Sequence, residues 1–112
     1  MMRVVRSLLA ILIAAAVPFA APTATASGTR AVRVVDTAFR PRALTVTRGT
    51  TVVWRWRGEQ AHNVTVRRGP VKFASATKVT GTFRRRMWRR GTYRIVCTIH
   101  MPDQRMKLTV TY

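Results

Sequence analysis

Apolar and polar positions alternate with a period of two along most of the chain. "RAVRVVD" places Val32 and Val34 on one face and Arg33 on the other. "ALTVTRG" does the same with Leu44 and Val46 against Thr45 and Thr47. In "TTVVWRWRG" the inward set is Val52, Trp54 and Trp56, and in "HNVTVRRG" it is His62, Val64 and Val66. "TYRIVC" turns Tyr93, Ile95 and Cys97 inward, and "MKLTVTY" turns Met106, Leu108, Val110 and Tyr112 inward. Such alternation marks strands with one buried face. Turn residues fall at Pro41, Gly49, Gly58, Gly69-Pro70, Gly81 and Gly91, spaced as in a small sandwich. The pattern therefore predicts an all-β sandwich.

Two stretches are less regular. In "TFRRRMWRR" the parity that buries Phe83 and Met87 also turns Arg85 inward. An irregular strand, a bulge or an edge strand each fits, since an inward charge discourages edge-to-edge aggregation. Residues 74–80 carry no clear pattern, and one turn of helix is compatible with them.

The N-terminus follows a different logic. Arg3 and Arg6 precede the apolar run Leu8 to Val17, which is short for a bilayer span, and Ala24-Thr25-Ala26 follows. Basic, then apolar, then small is the order of an export signal. A helical signal peptide is expected over residues 1–26, with one domain over 27–112 in a periplasmic, cell-envelope or extracellular setting. That domain has 86 residues and one cysteine, so no internal disulfide can support its modest core. A lone thiol outside the cytoplasm oxidises unless burial or a metal protects it.

The chain carries 21 basic and 3 acidic residues; without Arg3 and Arg6, 19 and 3 remain. The resulting field steers the protein toward anionic partners: acidic proteins or the anionic surface of a cell envelope. Export argues against nucleic acid. The densest run, Arg84 to Arg90 around Met87 and Trp88, reads as a solvated strand and turn, since 18 of the basic residues are arginine throughout.

The scarcest side chains are gathered in "VCTIHMPDQRM", residues 96–106. Cys97 is the only cysteine, and His100 is one of two histidines. Parity puts the other, His62, on an inward face of another strand. Two imidazoles and one thiolate form the equatorial set of a blue-copper electron-transfer site, which a weak axial Met or Gln completes. Zinc is a rival, but structural zinc sites take four strong ligands, commonly with more thiolates. A Cys–His nucleophile is another rival, without a local protease signature. A buried cysteine with two incidental histidines also remains open at this point.

The chain resembles the cupredoxins, in particular the plastocyanin, pseudoazurin and amicyanin-like type. "DTAFRPRALTVTRGTTVVWRW" is similar to the family's first part, "AHNV" to the segment with the first histidine ligand, and "GTFRRRMWRRGTYRIVCTIH" to the run into the copper loop. The resemblance implies a Greek-key β-sandwich holding one type 1 copper, with His62, Cys97 and His100 as equatorial ligands. It makes Asn63 a clamp that bonds the cysteine loop to the first-histidine segment. Asn63-Val64-Thr65 also fits a glycosylation sequon, a coincidence beside a buried ligand.

The axial position departs from the family pattern. Aligning "KLTV" with the family's closing strand puts Gln104 where the axial methionine lies and Met106 where a glycine lies. Gln104 is then the axial candidate, as in the stellacyanin-like branch, with Met106 and Met101 as competitors. An oxygen donor favours Cu(II) and so implies a lower reduction potential. The implied function is a one-electron carrier cycling Cu(II)/Cu(I), monomeric, exchanging electrons through the edge of His100 with an acidic redox partner. Met101 and Pro102 would form an apolar docking patch. The alternative is an envelope protein that stores, buffers or delivers copper. An enzyme is not expected, since Asp36, Glu59 and Asp103 are the only carboxylates and none are paired in sequence.

Overall fold

The computed structural model describes residues 28–112. The expected signal peptide over 1–26 and its cleavage before Ser27 lie outside the described residues. Eight strands follow in order: β1 (Thr29–Val35), β2 (Ala38–Arg40), β3 (Ala43–Thr47), β4 (Thr51–Trp56), β5 (Thr65–Arg68), β6 (Thr82–Arg86), β7 (Gly91–Val96) and β8 (Arg105–Thr111). They form two four-stranded sheets, ordered β2-β1-β4-β6 and β3-β8-β7-β5. β1 runs parallel to β4 and β3 parallel to β8, while the remaining pairs are antiparallel. The all-β sandwich is as the alternation predicts.

The inward positions close on one core. Val32, Val34, Val52, Trp54, Val64, Ile95 and Leu108 have no exposed surface. Burial of each large apolar side chain contributes about 1.5–3 kcal/mol. Trp54 packs at 6.1 Å from Phe73 and 5.7 Å from Phe83, and Phe73 meets Tyr93 at 6.3 Å. Phe73 thus joins the two sheets from a segment without strand pattern.

Four details differ from the sequence reading. β2 is a short strand that the alternation does not reveal; it folds back on β1 after the turn at Asp36-Thr37 and pairs Val34 with Phe39. Residues 74–80 contain no helical turn; they run beside the first-histidine segment, with bridges from Ala74 to Thr65 and from Lys78 to His62. β6 is the edge strand of its sheet, one of the arrangements the pattern allows, but Arg85 is exposed rather than inward, with its guanidinium 4.8 Å from the Phe73 ring centroid. Tyr112 is not inward but 85% exposed. The β3–β8 ladder ends at Thr47 and Thr111, so no strand covers Tyr112, and Arg90 stacks on its ring at 3.9 Å instead.

The β7–β8 hairpin places the chemistry. Its ladder runs from Gly91–Val110 to Val96–Arg105, and one more bond, from Cys97 N–H to the Gln104 carbonyl at 3.0 Å, closes the loop neck. Residues 97–104 are thereby held at one end of the sandwich.

Candidate metal centre

Cys97 and Gln104 flank this neck, and His100 lies on the turn between them. Backbone bonds from His100 N–H to the Cys97 carbonyl (3.2 Å) and from Gln104 N–H to the His100 carbonyl (3.1 Å) coil the loop. His62 enters from the other side. Its backbone exchanges two hydrogen bonds with Lys78, each 3.0 Å, and its carbonyl accepts the Trp56 indole N–H at 3.2 Å.

Four side-chain atoms converge. Cys97 Sγ lies 4.0 Å from His62 Nδ1 and 3.6 Å from His100 Nδ1. Gln104 Oε1 lies 2.8 Å from His62 Nδ1 and 3.2 Å from His100 Nδ1. His62, Cys97 and Gln104 are fully buried, and His100 alone is half-buried. The structure thus brings together all four residues singled out from the sequence.

The orientation of Gln104 decides what the cluster can hold. Its amide Nε2 donates to the carbonyls of Val35 (2.8 Å) and Ala38 (3.1 Å). A flipped amide would oppose its oxygen to those two carbonyls, so Oε1 is committed to the cluster. An amide oxygen, two imidazole nitrogens and a thiol sulfur then face one another in a water-poor pocket. Four converging lone-pair donors suit a cation, and imidazole with thiolate suits copper. His62, Cys97 and His100 have their ligand atoms within 4.8 Å of one another, so the residues present fit such an ion.

The two methionines are elsewhere. Met106 is buried, and its sulfur accepts the Trp54 indole N–H at 3.5 Å. Met101 is 42% exposed, with its sulfur 3.9 Å from Arg67 Nη1.

Asn63 makes four hydrogen bonds at the loop. Its Oδ1 accepts the Thr98 N–H (3.1 Å) and the Thr65 hydroxyl (2.8 Å), and its Nδ2 donates to the Thr98 (2.8 Å) and Thr77 (3.3 Å) hydroxyls. This is the bridge expected between the two ligand segments. A side chain so buried and engaged leaves the sequon match without a free amide.

Asp36 is the functional residue that the sequence reading missed. Its Oδ1 lies 3.2 Å from His62 Nε2 and accepts the N–H groups of Glu59 (2.8 Å) and Gln60 (2.9 Å). The Gln60 N–H most strongly, then the His62 ring, hold the Asp36 carboxyl below the usual carboxylate range. An ionised Asp36 draws the ring proton to Nε2 and leaves the Nδ1 lone pair facing the cluster. Glycine is required nearby: a Cβ on Gly58 would collide with Asp36 Oδ1.

The family model for the cupredoxin-like domain matches residues 7–110. The chain belongs to the cupredoxin-like family. Among solved structures, this cupredoxin is similar to amicyanin. A reduced Trp-to-Tyr amicyanin variant aligns with TM-score 0.66 and 26% identity, over 77% of this chain and 85% of that one. A Met-to-Gln amicyanin variant in its Cu(I) form aligns with TM-score 0.65 and 27% identity, over 73% and 81%. The Cu-containing nitrite reductase of Thermus scotoductus SA-01 shares the fold, with TM-score 0.65 and 24% identity over 74% of this chain. The cupredoxin spans only 22% of that enzyme's length. No curated protein sequence matches it.

Proposed function

We propose that this cupredoxin is an exported type 1 copper protein that carries single electrons. The observation that carries the reading is the pinned Oε1 of Gln104 facing the two Nδ1 atoms and Cys97 Sγ, with His100 the only one of the four residues that reaches the surface. Copper bound there supplies a Cu(II)/Cu(I) couple. The chain's own residues supply the rest. Cys97 and the two imidazoles provide donors tolerated by both oxidation states, and Gln104 adds a hard oxygen that favours the oxidised one. Asn63 and the loop ladder hold the donors against rearrangement. The His100 ring bridges the buried cluster and solvent, so it is the exit path for an electron.

Around His100 the loop exposes Ile99 (50%) and Met101 (42%), with Pro102 beside them. This apolar apex, extended by Ile99 beyond the residues expected from sequence, suits brief encounters with a redox partner. The strong positive charge favours an acidic one. The basic, apolar and small order of residues 1–26 supports export, and the reading makes the protein a monomeric carrier rather than a catalyst.

The test is to load the purified protein with Cu(II) and record visible and EPR spectra. An intense blue thiolate band, lost in Cys97→Ala, is expected, followed by reversible cycling against a fast electron donor. A colourless loaded protein would sink the site. A blue protein that exchanges no electrons would move the reading to copper storage or delivery.

A further inference from the structure

The outer face of the β3-β8-β7-β5 sheet carries a row of like charges. Arg68 on β5 sits opposite Arg94 on β7, and Arg94 sits opposite Lys107 on β8. Like charges directly opposite across strands destabilise a sheet. Here nothing offsets them: among the described residues the only ion pair joins Asp36 to His62. A shift in register between Val66 and Arg68 leaves both Arg67 and Arg68 exposed. Together with Arg42 and Arg105, these side chains line a groove of about 500 Å³. Its wall includes Pro102, and Arg67 touches the Met101 sulfur, so the groove opens onto the apolar apex beside His100.

We propose that this groove is a docking site for an acidic segment of the protein's redox partner. The proposal rests on the electron-carrier reading and names where that partner binds. Five guanidinium groups can fork around carboxylates in a way that lysines cannot. Continuity with Ile99, Met101 and Pro102 means that an occupant meets cationic and apolar chemistry side by side. A polypeptide with acidic and apolar residues matches both; a purely phosphate-bearing polymer matches only the first. The repulsion stored in the row is then relieved when carboxylates arrive.

The opposite sheet supplies an internal control. Arg40, Arg33 and Arg55 also face one another across β2, β1 and β4, but they line none of the described cavities. Removing two charges from either row changes the net charge equally.

The experiment uses the copper-free protein and a short labelled peptide of glutamate pairs separated by leucine, followed by fluorescence anisotropy. Wild type should bind the peptide, more weakly as salt rises. Arg94→Gln with Lys107→Gln should weaken binding about tenfold, a loss of two charge-assisted contacts. Arg33→Gln with Arg55→Gln should leave it within about twofold. Equal loss in both double variants would overturn the proposal, since an undirected field would then explain binding. It would also be overturned if inorganic polyphosphate or phosphatidylglycerol vesicles bound through Arg94 and Lys107 while the peptide did not. Because copper is absent, failure here leaves the blue-band test standing, and a colourless loaded protein leaves this result standing.

Discussion

Asp36 Oδ1 lies 3.2 Å from His62 Nε2, at the edge of the ring that faces away from Cys97. The same oxygen is anchored by the N–H groups of Glu59 and Gln60. A carboxylate so placed orients the imidazole and fixes its tautomer. Asp36→Asn keeps an oxygen for the two backbone donors but removes the charge. Cu(II) affinity should fall by about tenfold or more in a chelator competition. The reduction potential should rise, because the oxidised ion loses more stabilisation than the reduced one. Unchanged affinity and potential would make the contact merely structural.

Gly58 makes this contact possible. A Cβ at position 58 would overlap Asp36 Oδ1 and also approach Asp36 N at 3.0 Å. Gly58 does not need its freedom of φ here; it needs the absence of a side chain. Gly58→Ala should therefore push Asp36 away from His62 and raise the potential in the same direction as Asp36→Asn. In the Asp36→Asn background the alanine should add little to that rise. Fully additive shifts, read by voltammetry, would mean the two residues act separately.

Gln104 has two separable roles. Its amide nitrogen satisfies Val35 and Ala38 carbonyls, and its oxygen faces the cluster. Gln104→Met removes both. The copper-free protein should lose about 2 kcal/mol in urea unfolding, because a buried carbonyl is left without a donor. The copper-loaded protein should show a raised potential, since a thioether favours the reduced ion. A stability loss with no change in potential would assign the axial position elsewhere.

The legible part of this molecule is the part built from short sequence distances. Cys97 and His100 share one hairpin loop, so composition flags them, and strand parity turns His62 inward; Gln104 stands out only when "KLTV" is aligned with the closing strand of the resembled family. The four side chains meet in the structure. Asp36 was illegible because its partner is 26 residues away and its position depends on a turn, not on a period. β2 is three residues long, too short for alternation to register. Phe73 is a lone aromatic between Lys72 and Ala74, yet it lies among Trp54, Phe83 and Tyr93. Tyr112 misled for the opposite reason: parity continues past the last residue that has a neighbouring strand.

Asn63 ties the first-histidine segment to the cysteine loop through Thr98. Asn63→Ala leaves the Thr98 N–H without its acceptor and frees the loop. The expected cost is about 2 kcal/mol in the copper-free protein. Asn63→Asp keeps both acceptor bonds and loses only the donors to Thr77 and Thr98, so it should recover part of the loss. Equal destabilisation by Ala and Asp, measured by urea titration, would show that the donor bonds alone matter.

Tyr93 gives the fold an alkaline limit. Its ring is buried and its hydroxyl donates to the Arg89 carbonyl at 2.7 Å. Burial raises its pKa above the usual tyrosine value, against the opposing pull of Arg89 and Arg85. The stabilising contribution is therefore complete below the unfolded value of about 10 and is lost as pH rises through the folded one. Between about pH 7 and pH 9 the Tyr93 contribution should be constant; above about pH 10 it should decline as the unfolded chain gives up the proton first. Tyr93→Phe loses the bond to Arg89, about 1 kcal/mol at neutral pH, but has no proton to release. Its unfolding free energy should consequently fall less steeply than that of wild type at high pH. Parallel alkaline limbs in the two proteins, measured by urea unfolding without copper, would place the limit on another group.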